Sequence, residues 1–193
     1  MSIRSAQRSD LRQVAELHAD RISEGFLPTL GIPFLERLYR RVAASDDAFV
    51  FVADDGERVA GFCAGAADIT ALYKRFLLHD GLAAGLRAAP RIVRSLPRVI
   101  ETLQYPSGGD DLPRAEILAV AVAGEAGGRG VGRALLSAST QAFLALGVHA
   151  AKVVTTADNE AALALYTGCG FTTAATVVVH GGTQSRVLVW TNR

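Results

Sequence analysis

Four glycines at 127, 128, 130 and 132 stand between a run of Val and Ala and an Ala/Leu-rich segment, in the stretch LAVAVAGEAGGRGVGRALL from Leu118 to Leu136. The order is strand, backbone-rich turn, helix. The first N–H groups of a helix lack partners within it, and the helix dipole puts positive potential at that end. A glycine turn leading into it can therefore hold a phosphate or pyrophosphate with few side chains. The spacing tests which phosphate ligand this is. A P-loop requires GxxxxGK and then Ser or Thr, but Arg133 and Ala134 follow Gly132, so no hydroxyl is placed to hold magnesium. A dinucleotide fingerprint GxGxxG starting at Gly128 meets Arg133, and one starting at Gly130 meets Leu135.

What remains is V-x-G-x-x-G-G-R-G-V-G-R-x-L from Val122 to Leu135. It resembles the acetyl-CoA pyrophosphate loop of the GNAT N-acetyltransferase superfamily, Q/R-x-x-G-x-G/A, whose glycines fall on Gly130 and Gly132. Two positions depart from that pattern: Gly127 stands where the family usually has Gln or Arg, and Gly124 where many members have Pro. A second motif, N-x-x-A-x-x-x-Y-x-x-x-G-F, is spelled by Asn159, Ala162, Tyr166, Gly170 and Phe171. It resembles the other half of the same cofactor site, at the expected distance downstream. The resemblance is loose over the N-terminal helices, reasonable from Phe49 to Ala66, good from Arg114 onwards, and without a clear counterpart from about 67 to 113.

The resemblance implies acetyl-CoA as acyl donor, no metal, and transfer to an amine. Its pyrophosphate would lie on the turn made by Gly127, Gly128, Arg129, Gly130, Val131 and Gly132. The strand residues Val120, Ala121 and Val122 would offer backbone groups to the pantetheine arm and one N–H to the thioester carbonyl. An N–H aimed at developing oxyanion charge is worth about 3–4 kcal/mol. Tyr166 matches the family's tyrosine near the sulfur, and is the candidate acid for the leaving thiolate. Its structural alternative is an aromatic anchor for its helix.

An alkyl amine with a pKa of about 10.4 must lose a proton before it attacks, at a cost of about 4–5 kcal/mol at pH 7. Glu116, eleven residues before Gly127, is the candidate base, as in family members that carry a Glu at this place. A carboxylate beside an apolar strand has its pKa raised, which suits it to the task. The alternative for Glu116 is a strand-end carboxylate in water or paired with Arg114. Asp68 and His149 are reserves. Asn159 can touch the pantetheine arm or cap the helix after it.

These residues need elements to hold them. Ile3–Ala6 reads as a first strand, and Ser9 or Asp10 caps a helix carrying Leu11, Val14 and Leu17. Pro33 opens a second helix with Leu35, Leu38, Tyr39 and Val42 on one face. Ala48–Ala53 and Val59–Ala64 form a hairpin about Asp55-Gly56. Arg114–Val122 is a central strand, followed by a helix from about Arg129, a strand over Ala151–Thr155 and a short helix over Glu160–Tyr166. A last hairpin joins Thr173–Val179 to Arg186–Trp190 about Gly181-Gly182. The expectation is one α/β (α+β) domain over residues 1–193. Its fold would be a central mixed and splayed sheet flanked by helices, with a helical insertion at about 68–113 between the third and fourth strands. Within that insertion Arg87, Arg91, Arg94 and Arg98 recur at helical spacing, either as a solvated face or as a lid over an anionic ligand.

The chain has 193 residues, half of them hydrophobic, and a net charge of +1. Nothing global favours nucleic acid or an anionic membrane. The charge-free stretch Ala134–Ala151 carries Ser137, Ser139, Thr140 and Gln141, so it reads as a core helix rather than a span. Two cysteines, Cys63 and Cys169, read as buried thiols of a cytoplasmic protein. The acceptor-side stretch from Gly25 to Tyr39 has faint counterparts in members that modify sugars. A small amine or amino sugar is thus the first expectation, a protein or peptide amine the second, and a non-catalytic CoA-binding domain the third. Whether the chain acts as a monomer or a homodimer is open at this level.

Overall fold

In a computed structural model, residues 1–22, 27–79, 112–179 and 183–192 are described. In chain order the strands are β1 (Ser2–Ser5), β2 (Ala48–Asp54), β3 (Val59–Ala66), β4 (Glu116–Val122), β5 (Ala150–Thr156), β6 (Thr172–Val179) and β7 (Thr183–Thr191). The helices are α1 (Leu11–Arg21), α2 (Ile32–Ala43), α3 (Ile69–His79), α4 (Val131–Ala145) and α5 (Glu160–Gly168). The strands make one mixed sheet in the order β1-β2-β3-β4-β5-β7-β6. The expected order of elements is present, and α3 opens the insertion. The arginine stripe from Arg87 to Arg98, the Gly181-Gly182 turn and Gly25-Phe26 lie outside the described residues.

Each face of the sheet carries its own core. On one face, Leu11, Val14 and Ala15 of α1, Leu35, Leu38, Tyr39 and Val42 of α2, and Leu72 and Phe76 of α3 bury against Val52, Phe62, Ala119 and Ala121. This is the helical periodicity read from the sequence. On the other face, Val131, Leu135, Leu136 and Phe143 of α4, with Tyr166 of α5, bury against Cys63, Ile117, Val153 and Leu188. Two strand glycines let α4 lie close. A Cβ at Gly61 would come within 3.2 Å of both Leu135 and Val131, and one at Gly65 within 2.5 Å of the Phe49 ring.

Two details differ from the sequence reading. The side chain of Asp10 does not cap α1; it accepts from Gln7 N at 2.7 Å and pairs with Arg4 at 2.6 Å. Arg4 also reaches Asp54 at 2.7 Å, so β1, α1 and β2 are tied at one point. The second difference is a start: α4 begins at Val131, with Gly130 as its N-cap, rather than at Arg129.

The sheet opens at its centre. β4 and β5 are parallel, and only Glu116↔Lys152 and Ile117↔Val153 pair across them. Beyond that point β4 stays on β3 as far as Val122, and β5 stays on β7 as far as Thr156. Their inner edges therefore diverge into a wedge. A β-bulge contributes: Gly65 faces Ile117 while Ala64 faces Ala119, leaving Leu118 as the extra residue. Such a bulge bends its strand and reverses the direction of the backbone groups beyond it.

Candidate active site

The glycine turn lies just past the open end of β4. A short 3₁₀ turn, Gly124–Ala126, uses the N–H groups of Ala126 and Gly127, which donate to Ala123 O and Gly124 O at 2.9 and 3.1 Å. The first helical bond of α4 is Ala134 N to Gly130 O at 3.0 Å. Among the described residues, no backbone carbonyl takes the N–H groups from Gly128 to Arg133. Gly128 and Gly130 have φ of 71° and 78°, the left-handed region that favours glycine. A Cβ at either would meet nothing within 4 Å, so the turn faces open space. At Gly132 a Cβ would stand 3.0 Å from Leu165 Cδ2, so this glycine lets α5 cross close to the first turn of α4. At Gly127, with extended backbone, a Cβ would press on Gly124 O at 3.1 Å. The usual Gln or Arg would crowd this version of the turn. Outward N–H groups, the helix N-terminus and the exposed Arg129 and Arg133 fit a pyrophosphate.

The free edge of β4 supplies a second row of donors. Ala123 N donates to Ala60 O at 2.9 Å, so Ala123 is a hydrogen-bonded partner of β3. Alternation along an antiparallel pair then turns the N–H groups of Val120 and Val122 towards the wedge. It turns Ala121 towards β3, opposite Phe62. Ala121 therefore does not offer the ligand a donor, because the bulge at Leu118 sets the direction of every later group on the strand.

Glu116 sits at the closed end of the wedge. Its side chain is 21% exposed and lies 3.7 Å from Lys152 Nζ, itself 12% exposed. Burial pushes the Glu116 carboxyl up, and the Lys152 charge opposes this. Arg114, the partner considered from sequence, instead lies 3.7 Å from Asp68. Tyr73 of α3 flanks Glu116; burial, and secondarily the Glu116 charge, push its hydroxyl up. The neighbouring residues Ala115 and Ile117 belong to the α4-side core, so Glu116 projects from the α1–α3 face.

Tyr166 lies on the opposite face. It is 5% exposed, and its ring packs on Phe171 with centroids 5.7 Å apart. Burial, then the nearby Cys63, push its hydroxyl up, so it carries its proton at neutral pH. Cys63 is wholly buried, accepts from Ser139 Oγ at 3.1 Å and is pushed up to about 12 by burial. It is an inert thiol.

The other expected residues sit at the ends of elements. Asn159 Oδ1 accepts from Ala162 N at 3.1 Å and caps α5. Asp68 Oδ1 accepts from Ala71 N at 2.9 Å at the start of α3. His149 is exposed at the start of β5. Lys152 and Tyr73 join the site only through the fold. Lys152 is one of only two lysines in the chain, and Tyr73 is the polar-headed member of the Ile69, Leu72, Tyr73, Phe76 face; those were the available signals. Among the described residues no cluster of His, Cys, Asp and Glu is arranged to hold a metal, and no helix is long and apolar enough to cross a membrane.

A family model for the acetyltransferase (GNAT) family matches residues 19–171. The chain belongs to the acetyltransferase (GNAT) family. A mycothiol acetyltransferase from Pseudarthrobacter chlorophenolicus is 39% identical over 80 residues, which is 42% of this chain and 25% of that protein. The same share is matched in a mycothiol acetyltransferase from Paenarthrobacter aurescens, so the chain spans a quarter of the length of these curated relatives. The ribosomal-protein-alanine N-acetyltransferase of Brucella melitensis superposes with a TM-score of 0.66 at 18% identity, over 99% of each chain. An acetyltransferase from Salmonella typhimurium, solved with acetyl-CoA, superposes with a TM-score of 0.66 at 18% identity, over 100% of this chain and 94% of its own. The last two share the fold of this GNAT chain.

Proposed function

We propose that this GNAT enzyme is an N-acetyltransferase that acetylates the amine of a small molecule or amino sugar by direct attack in a ternary complex. The observation that carries the reading is the wedge itself. It has donors along one edge, a glycine turn suited to phosphate at its open end, a half-buried carboxylate at its closed end and a protonated tyrosine on the opposite face. Acetyl-CoA supplies the acetyl group as a thioester. The N–H groups of Gly128 to Gly132 hold its pyrophosphate. An N–H of Val120 or Val122 takes up charge on the thioester oxygen. Such a fixed donor lowers the barrier because it needs no reorganisation during reaction.

The protons balance as follows. The acceptor arrives as an ammonium and gives one proton to the Glu116 carboxylate through water. The freed lone pair forms the N–C bond, the C–S bond breaks, and the Tyr166 hydroxyl gives its proton to the departing thiolate. The Glu116 proton, and the second amine proton, pass to solvent, and Tyr166 is reprotonated. The partial match to mycothiol acetyltransferase supports a small-molecule acceptor.

Glu116→Gln keeps shape and hydrogen bonding but cannot take a proton. With a panel of amines and free thiol as readout, the variant is expected to lose turnover near pH 7. It should recover part of it at higher pH, where the amine is neutral unaided. A pH–rate profile that overlays the wild type would show that the proton leaves by another route.

A further inference from the structure

Lys152 is fixed more firmly than a surface lysine. Its Nζ donates to Pro113 O at 2.9 Å, its own N–H donates to Ala115 O at 2.9 Å, and its side chain is 12% exposed. It faces Glu116 in the first of the two pairs that join β4 to β5, one step before the strands part. The Nζ to Oε2 distance of 3.7 Å is too long for a hydrogen bond, so the ammonium gives its hydrogen bond to Pro113 and its field to Glu116. The lone pairs of Glu116 thus stay free for the wedge. Among the described residues, the other groups around this carboxylate carry no competing charge. From α3 comes the Tyr73 hydroxyl, from β3 comes Ala66, and Arg114 is turned to Asp68.

We propose that Lys152 is the positioning residue of the base, holding Glu116 ionised and its lone pairs free at the closed end of the wedge. This rests on the reading of Glu116 as the base. Burial alone raises the affinity of such a carboxylate for its proton, because it disfavours the charge. A bare contact ion pair would be ionised but poorly able to reach the acceptor. A cation anchored on a neighbouring carbonyl avoids both outcomes.

The test is a titration of the full chain labelled with ¹³C-carboxyl glutamate, the Glu116 resonance being assigned by its loss in Glu116→Gln. Lys152→Met and Lys152→Gln should raise the Glu116 midpoint by about one pH unit, a tenfold rise in proton affinity. Lys152→Gln retains a donor for Pro113 O, so it separates charge from fold. Lys152→Arg should titrate close to the wild type. Unmoved midpoints in both neutral variants, with native melting curves, would overturn the proposal. If the midpoints move while Glu116→Gln turns over like the wild type, the pairing stands and the reading of Glu116 as base fails instead.

Discussion

Gly130 allows the phosphate-binding turn to be tested by charge alone. Its φ of 78° is left-handed, and a Cβ there would meet nothing within 4 Å. Asn and Asp both tolerate this region better than other side chains. They have the same shape, so Gly130→Asn and Gly130→Asp should lose a similar stability, roughly 1 kcal/mol each. Only the Asp variant places a negative charge beside the outward N–H groups of Gly128 to Arg133. At roughly 5 Å and an effective dielectric of ~20, each repelling phosphate charge costs about 3 kcal/mol. Screening by salt reduces this, and a difference of at least about 2 kcal/mol is expected, about thirtyfold in affinity. The assay is calorimetric binding of CoA to both variants at low salt, with thermal melting as the control for folding. Dissociation constants for Asp and Asn that agree within a factor of two would refute the assignment of the pyrophosphate to this turn.

Three other perturbations test separate links. Tyr166→Phe keeps the ring on Phe171 and removes the proton, so turnover should fall at least tenfold while acetyl-CoA affinity changes little; unchanged turnover would leave Tyr166 as an anchor. Gly132→Ala brings a Cβ to 3.0 Å from Leu165 Cδ2, so a double-mutant cycle with Leu165→Ala should show a coupling of about 0.5–1 kcal/mol in melting experiments; strict additivity would show that α5 yields freely. His18 is 3% exposed and bonds Tyr39 through Nδ1, and among the described residues Nε2 has no partner; burial pushes it down to about 4. The unfolded chain takes up this proton near pH 6.5 and the folded chain only near 4, so stability should fall by about 3 kcal/mol as pH drops through that window. Denaturant midpoints of His18→Gln should flatten over the same range, and a slope equal to the wild type would assign the loss to other groups.

What could be read in advance follows from where the information sits. The turn was legible because its left-handed positions favour glycine, and Gly128 and Gly130 occupy them. The helix faces were legible because Leu35, Leu38, Tyr39 and Val42 recur at the helical period and all bury. The direction of the β4 groups was not. It depends on the bulge at Leu118, which exists only in the pairing of β4 with β3 at the Ala64–Gly65 step. Nor was Lys152 legible, since its meeting with Glu116 exists only once two distant strands lie parallel. Tyr73 was hidden for a different reason: its spacing is that of a core residue, and only its neighbour Glu116 gives its hydroxyl a chemical setting.

The central claim is that the wedge transfers an acetyl group from acetyl-CoA to an amine. Its most direct measurement is free thiol released from acetyl-CoA by the purified chain, with and without a panel of small amines and amino sugars, followed by mass analysis of the amine. Amine-dependent release is expected, with a matching gain of one acetyl group on the acceptor, and both should fall in Gly130→Asp at limiting acetyl-CoA. CoA binding without thiol release or acetylated product, over the panel and across neutral to alkaline pH, would contradict it.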